Sequence, residues 1–225
     1  REAYNNLGIT YAAAGKPVRA IFFFKKAIQL KRDYIDAYCN LGYAYKIIGS
    51  LDRSIEVSKA AIQMNPASYK AYCNLGYVYL EKGDEDKAIR FFKNAISIRK
   101  EYYEPHYSLG NLYIKKNNYP EALYEYREAL KYGLDNADIY SKLGFAYIKN
   151  KRFKDAEAAF RHSLSLNNIQ LEPHTNLGNL YSMFGYFDLA IEEYSQALEI
   201  EPGNKGIISN IEKVKREKAR SGIKN

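Results

Sequence analysis

The chain has 225 residues, 47% of them hydrophobic and 27% charged, with a formal net charge of +8. This composition excludes a disordered chain, and no run approaches the roughly 18 consecutive apolar residues that a membrane-spanning helix requires. The first ten residues, REAYNNLGIT, lack the apolar core of a secretion signal, and Cys39 and Cys73 are the only cysteines; a cytoplasmic location is expected, while the absence of an initial Met leaves an upstream segment open.

The sequence repeats itself every 34 residues without gaps, and the elements follow from that register. The first copy opens with a helix A reading YNNLGITY from Tyr4, breaks at Gly15 and continues in a helix B carrying Ala20, Phe24 and Ala27. The second reads YCNLGYAY from Tyr38 and breaks at Gly49; its helix B departs from the pattern, with Ser54, Ser58 and Ala61. The third reads YCNLGYVY from Tyr72, breaks at Gly83 and carries Ala88, Phe92 and Ala95. In the fourth, HYSLGNLY from His106 is followed by Asn117 at the break and by Ala122, Tyr126 and Ala129. The fifth has YSKLGFAY from Tyr140, Lys151 at the break, and Ala156, Phe160 and Ser163. The sixth has HTNLGNLY from His174, Gly185, and then Ala190, Tyr194 and Ala197. Residues 203–225 begin a seventh helix with Ile207, Ile208, Ile211 and Val214 assigned to one face, and carry seven Lys or Arg against two Glu, so most of the basicity sits there.

Spacings of three and four place the opening aromatic, the Leu and the later Tyr of each helix A on one face. A Gly in mid-helix costs about 1 kcal/mol relative to Ala, so its recurrence after each Leu predicts that a neighbouring helix passes too close for a β-carbon. The residue at each break is expected to be a left-handed helix terminus, and Pro66 and Pro202 stop helix B in two copies.

These residues closely resemble the tetratricopeptide repeat over residues 1 to about 202. The resemblance implies an all-α fold: a right-handed α-α superhelix of six helix-turn-helix repeats (1–34, 35–68, 69–102, 103–136, 137–170 and 171–204), closed by a C-terminal capping helix and basic tail at 203–225. It also implies that helices A line a concave groove and helices B a convex face. One hairpin cannot bury its apolar face alone, which is the physical reason for stacking.

Function is expected in the groove. The residue before each Leu-Gly pair is Asn6, Asn40, Asn74, Ser108, Lys142 and Asn176. Carboxamides donate and accept, so a ladder of them suits an extended peptide backbone; the alternative is that Asn merely tolerates a half-exposed helix position. The ladder resembles that in the repeat region of O-linked N-acetylglucosamine transferases, though the chain holds no transferase domain. Further along the same face stand Ile9, Tyr43, Tyr77, Asn111, Phe145 and Asn179, with Tyr107 one turn earlier, as candidate anchors or as packing residues. Groove charge is mixed: Lys46, Lys70, Lys115, Lys142 and Lys149 against Asp36, Glu81, Glu104, Asp138 and Glu172. Chaperone-binding members of the family grip a C-terminal carboxylate through Lys, Arg and Asn at set inner positions; here Asn5, Cys39, Cys73, Tyr107, Ser141 and Thr175 stand there, so that clamp is incomplete. On helices B, Phe22, Phe23, Val57 and Phe91 form a candidate docking or self-association patch.

No phosphate loop, metal-ligand spacing or nucleophile motif is present; His106, His162 and His174 are too far apart to share a metal, and the two cysteines too far apart to pair. The expectation is a chain that is no enzyme and needs no cofactor, binding protein or peptide partners rather than nucleic acid or membrane. The alternative is the substrate-recruiting part of a larger enzyme such as a glycosyltransferase.

Overall fold

The computed structural model describes residues 1–222, leaving the final three residues of the expected tail, 223–225, outside the described residues. Among the described residues it contains thirteen α-helices and no strand. They are α1 (Glu2–Ala13), α2 (Pro17–Leu30), α3 (Ile35–Ile47), α4 (Leu51–Met64), α5 (Tyr69–Glu81), α6 (Glu85–Ile98), α7 (Tyr103–Lys115), α8 (Tyr119–Lys131), α9 (Ala137–Lys149), α10 (Phe153–Leu166), α11 (Leu171–Met183), α12 (Phe187–Ile200) and α13 (Lys205–Ser221). No described helix is long and apolar enough to cross a membrane. The chain divides into two compact units, Arg1–Leu112 and Tyr113–Asn225.

In the first unit α1 through α6 each pack on the next, and α3 also lies beside α1 and α5. Its core joins Ala20, Ile21 and Phe24 of α2 to Leu41, Ala44 and Tyr45 of α3, with Cys39, Ala61 and Ala71 forming a second cluster. In the second unit α8 through α13 do the same, and one cluster runs from Ala156 and Phe160 through Leu177, Tyr181 and Tyr194 to Ile207 and Val214. Each fully buried aromatic of this kind contributes roughly 1.5–3 kcal/mol of apolar burial.

The mid-helix glycines have a specific cause. A β-carbon on Gly8, Gly76 or Gly144 would stand 2.5 Å from the ring of Phe24, Phe92 or Phe160, and one on Gly178 would stand 2.7 Å from Tyr194. The obstacle is thus the aromatic ring of helix B in the same hairpin. The second hairpin has no such ring: Ser54 Oγ donates to the Gly42 carbonyl at 2.7 Å, and the nearest atom to a Gly42 β-carbon is Ser58 Oγ at 2.8 Å.

Each helix A ends alike. The backbone N–H of Lys16, Ser50, Asp84, Asn118, Arg152 and Tyr186 donates to the carbonyl of Tyr11, Tyr45, Tyr79, Tyr113, Tyr147 and Tyr181, at 2.8–2.9 Å. This closure needs a left-handed residue just before the donor. Glycine supplies it four times, and Asn117 (φ 56°) and Lys151 (φ 58°) supply it in the two hairpins without glycine. Helix B instead ends on an extended residue at Lys31, Asn65, Arg99 and Asn167, which asks nothing of residue type.

One expectation requires correction. Ile208 is exposed rather than part of the capping face, because that face follows Ile207, Ile211 and Val214 at intervals of four and three. Leu7 is 39% exposed whereas Leu41, Leu75, Leu109, Leu143 and Leu177 are at most 3% exposed, since only the later leucines have a helix packed over them. Helix α13 is started by Asn204, whose side chain accepts from the N–H groups of Gly206 and Ile207, and is tied to α12 by Lys218 on Asp188 at 2.6 Å.

Candidate functional site

The inner faces of α3 and α5, with Tyr102 and the first turn of α7, line a recess of about 520 Å3 in the first unit. Its walls are Cys39, Asn40, Tyr43 and Lys46 from α3, Lys70, Cys73, Asn74 and Tyr77 from α5, and Tyr102 with Glu104. The 34-residue register places these side chains, because equivalent positions on successive A helices stand side by side.

Cation and aromatic groups interlock at one wall. The Lys46 ammonium lies 5.1 Å from the Tyr43 ring centroid and 5.4 Å from that of Tyr77, and is 3.5 Å from Glu81. Lys70 pairs with Asp36 at 3.4 Å, so each lysine of the recess already faces a carboxylate of a neighbouring repeat. The Tyr77 ring is edge-on to Phe92 at 5.1 Å, and its hydroxyl accepts from Ser108 Oγ at 3.4 Å. Tyr102 stands edge-on to Tyr69 at 4.9 Å.

The floor is uncharged chemistry. Burial is the leading cause that pushes the Cys73 thiol and the Tyr77 and Tyr102 phenols well above their ordinary values, with the neighbouring Glu104 adding to all three. Cys39, likewise raised by burial, has its sulfur 3.3 Å from Ser68 Oγ. Both cysteines are unpaired and buried, and a protonated, enclosed thiol is a poor nucleophile.

The asparagines divide. Asn74 is buried and its Nδ2 donates to the Cys39 carbonyl at 2.7 Å; Asn40, half-buried, donates to Asn5 Oδ1 at 3.0 Å. Two rungs of the expected ladder are therefore hydrogen-bonded to the preceding A helix. Asn6 is exposed on α1, and Tyr107 and Asn111 are half-buried on α7. In the second unit Lys142 pairs with Glu172 at 3.8 Å, Phe145 packs against the core under Lys149, and Asn176 is half-buried. Asn179 accepts from the Tyr194 hydroxyl at 2.7 Å, beside a recess of about 420 Å3 shared with Met183, Lys213 and Glu217.

On helices B, Phe23 stacks on Tyr11 at 5.1 Å and Phe91 stacks on Tyr79 at 5.3 Å, each within its own hairpin. Val57 packs on the core around Phe24 and Tyr45, leaving Phe22, at 54% exposure, as the one member of the four that is largely open. The two histidines that open helices A have a packing role: His106 Nε2 meets the Lys100 carbonyl at 2.9 Å, and His174 Nε2 meets the Asn168 carbonyl at 3.2 Å, six residues back in both cases. His174 Nδ1 also lies 2.7 Å from Glu193. No group of three His, Cys, Asp or Glu side chains among the described residues is placed to hold a metal.

Tyr102 is the recess residue that sequence reasoning missed. It occupies the same register position as Ser68, in the turn before helix A, where residue type varies freely and no period marks it.

Family models described as tetratricopeptide repeat match residues 2–34 and 69–102, and 35–68, 137–170 and 171–204, and one described as TPR repeat matches 110–151. No curated protein sequence matches the chain. Among solved structures, the Cut9–Hcn1 hetero-tetramer of the APC/C is similar over 94% of this chain at 21% identity and a TM-score of 0.71; this chain covers only 42% of the length of that one. Pseudomonas aeruginosa pilF is similar over 96% of both chains, with 16% identity and a TM-score of 0.80. YrrB, described as a TPR protein with an unusual peptide-binding site, is similar over 83% of this chain and 96% of its own, with 20% identity and a TM-score of 0.74. At such identities the likeness speaks for the fold. With its repeats matched one after another by these models and its hairpins shared with these structures, the chain belongs to the tetratricopeptide repeat family.

Proposed function

We propose that this chain is a protein-interaction scaffold that holds an extended or helical peptide segment against its A helices, anchored in the recess of the first unit. The observation that carries the reading is the recess itself: about 520 Å3, walled by three tyrosines and by polar groups drawn from successive repeats. Tyrosines offer a large apolar surface with a polar tip and lose little rotamer freedom on binding, which is why they recur as anchors. A peptide-binding site on this fold, as described for YrrB, supports the same use here.

The amide ladder has a reduced part in this reading, since Asn74 and Asn40 already give a donor to the neighbouring helix. Tyr43, 47% exposed, and the rim lysine Lys70 are the groups best placed to meet a ligand. The test is affinity capture from the source lysate with the wild-type chain beside a Tyr43→Ala, Lys70→Ala double variant of equal helicity. Loss of specific partners supports the groove. Partners that persist unchanged move the search to Phe22 and the basic helix α13.

A further inference from the structure

Within the recess one carboxylate oxygen lacks a donor. Lys46 faces Glu81 and Lys70 faces Asp36, but Glu104, which also lines the recess, has its Oε2 shut from water and without a hydrogen-bond donor. The Tyr102 phenol hydrogen-bonds the Glu104 carboxylate, Cys73 and Tyr77 beside it are uncharged, and a place in the first turn of α7, where the helix dipole favours an acid, adds to its support. The nearby guanidinium of Arg99 is held on the Tyr69 ring at 4.9 Å and does not line the recess. A carboxylate oxygen shut from water without a donor is costly, and such an atom marks a place where a ligand completes the hydrogen bonding.

We propose that the recess is a specificity pocket for an arginine side chain of the bound peptide, with Glu104 as its carboxylate and the tyrosine rings as its walls. The proposal rests on the groove reading above and adds the chemistry of the anchor. A guanidinium is planar, stacks on aromatic faces and gives two parallel N–H bonds to one carboxylate, whereas an ammonium offers a single charged point. The recess already shows that its rings accept a cation, since Lys46 lies over both Tyr43 and Tyr77. An acidic side chain brought to the same place meets the like charge of Glu104 and is rejected.

The test is selection of a phage-displayed library of random linear peptides on the full chain, followed by fluorescence polarisation of the enriched peptides. Arginine is expected to be enriched at one position, and its replacement there by citrulline, which keeps the shape without the charge, is expected to weaken binding at least about tenfold, with lysine intermediate. Glu104→Gln is expected to weaken the arginine peptide by a similar factor and to leave the citrulline peptide nearly unchanged. Should Glu104→Gln fold poorly, the citrulline comparison on the wild-type chain reads the same interaction. Peptides that lose binding on Tyr43→Ala yet show no preference for arginine overturn this proposal and leave the groove reading standing. If no selected peptide responds to Tyr43→Ala, the groove reading falls, and this proposal with it.

Discussion

Asn74 Nδ2 donates to the main-chain carbonyl of Cys39 at 2.7 Å, across the boundary between two repeats. A side chain that in sequence reads as a groove donor is thereby a link between α3 and α5. Replacing it with Ala removes a buried bond, so Asn74→Ala is expected to cost about 1–2 kcal/mol in urea unfolding. Asn40→Ala, whose side chain is half-buried, should cost less. Equal stability of wild type and Asn74→Ala would show that the link contributes nothing.

Gly76→Ala sets a β-carbon 2.5 Å from the ring of the fully buried Phe92. Overpacking of this kind costs roughly 1–3 kcal/mol and outweighs the gain of about 1 kcal/mol in helix propensity, so net destabilisation is expected. At Gly42 the nearest atom is the small Ser58 hydroxyl, at 2.8 Å, and Gly42→Ala should be milder. Thermal midpoints of the two variants decide the order.

Ser58 Oγ is buried and meets no hydrogen-bond partner. Removing an unsatisfied hydroxyl relieves a desolvation penalty, so Ser58→Ala is expected to stabilise by about 1 kcal/mol. A lowered denaturation midpoint would show that the hydroxyl is satisfied.

Lys151 holds φ at 58°, where its counterpart in four other hairpins is glycine. A side chain in left-handed backbone costs about 1–2 kcal/mol, and glycine gives part of that back as flexibility in the unfolded chain. Lys151→Gly should raise stability by about 1 kcal/mol, read as a shift of the urea midpoint.

Burial raises both thiols, so each stays protonated above the ordinary range, and neither side chain is open to solvent. A disulfide reagent at mildly alkaline pH should leave Cys39 and Cys73 of the folded chain unmodified and label both once denaturant is added. Rapid labelling of the folded chain would contradict the burial of these helices.

Much of the fold was legible in the sequence, because the features that build it recur every 34 residues. Leu41 and Leu75 on one face, Gly42 and Gly76 behind them, and left-handed positions such as Gly49 each serve a local need, whether a helix stripe, a missing β-carbon or a chain reversal. Local needs leave a period that can be read without coordinates. Even the irregular second hairpin, with Ser54 and Ser58 for the usual Ala and aromatic, announced itself as a break in that period.

The candidate site was legible only as a face. Which of Asn6, Asn40, Asn74 and Asn176 has a donor to offer depends on what lies one repeat away, and the distance from Asn74 to the Cys39 carbonyl is a tertiary quantity. The same holds for Phe23 and Phe91, whose stacking on Tyr11 and Tyr79 withdraws them from the outer surface. Tyr102 and Glu104 meet Cys73 and Tyr77 only because the start of the fourth repeat folds back to the recess that α5 lines. By itself the sequence determined the helices, their caps and their register, since each arises from contacts within a few turns. The tertiary structure alone decided which polar groups were already paired and which, such as one oxygen of the Glu104 carboxylate, were not, because pairing depends on distances between chain segments that periodicity does not encode.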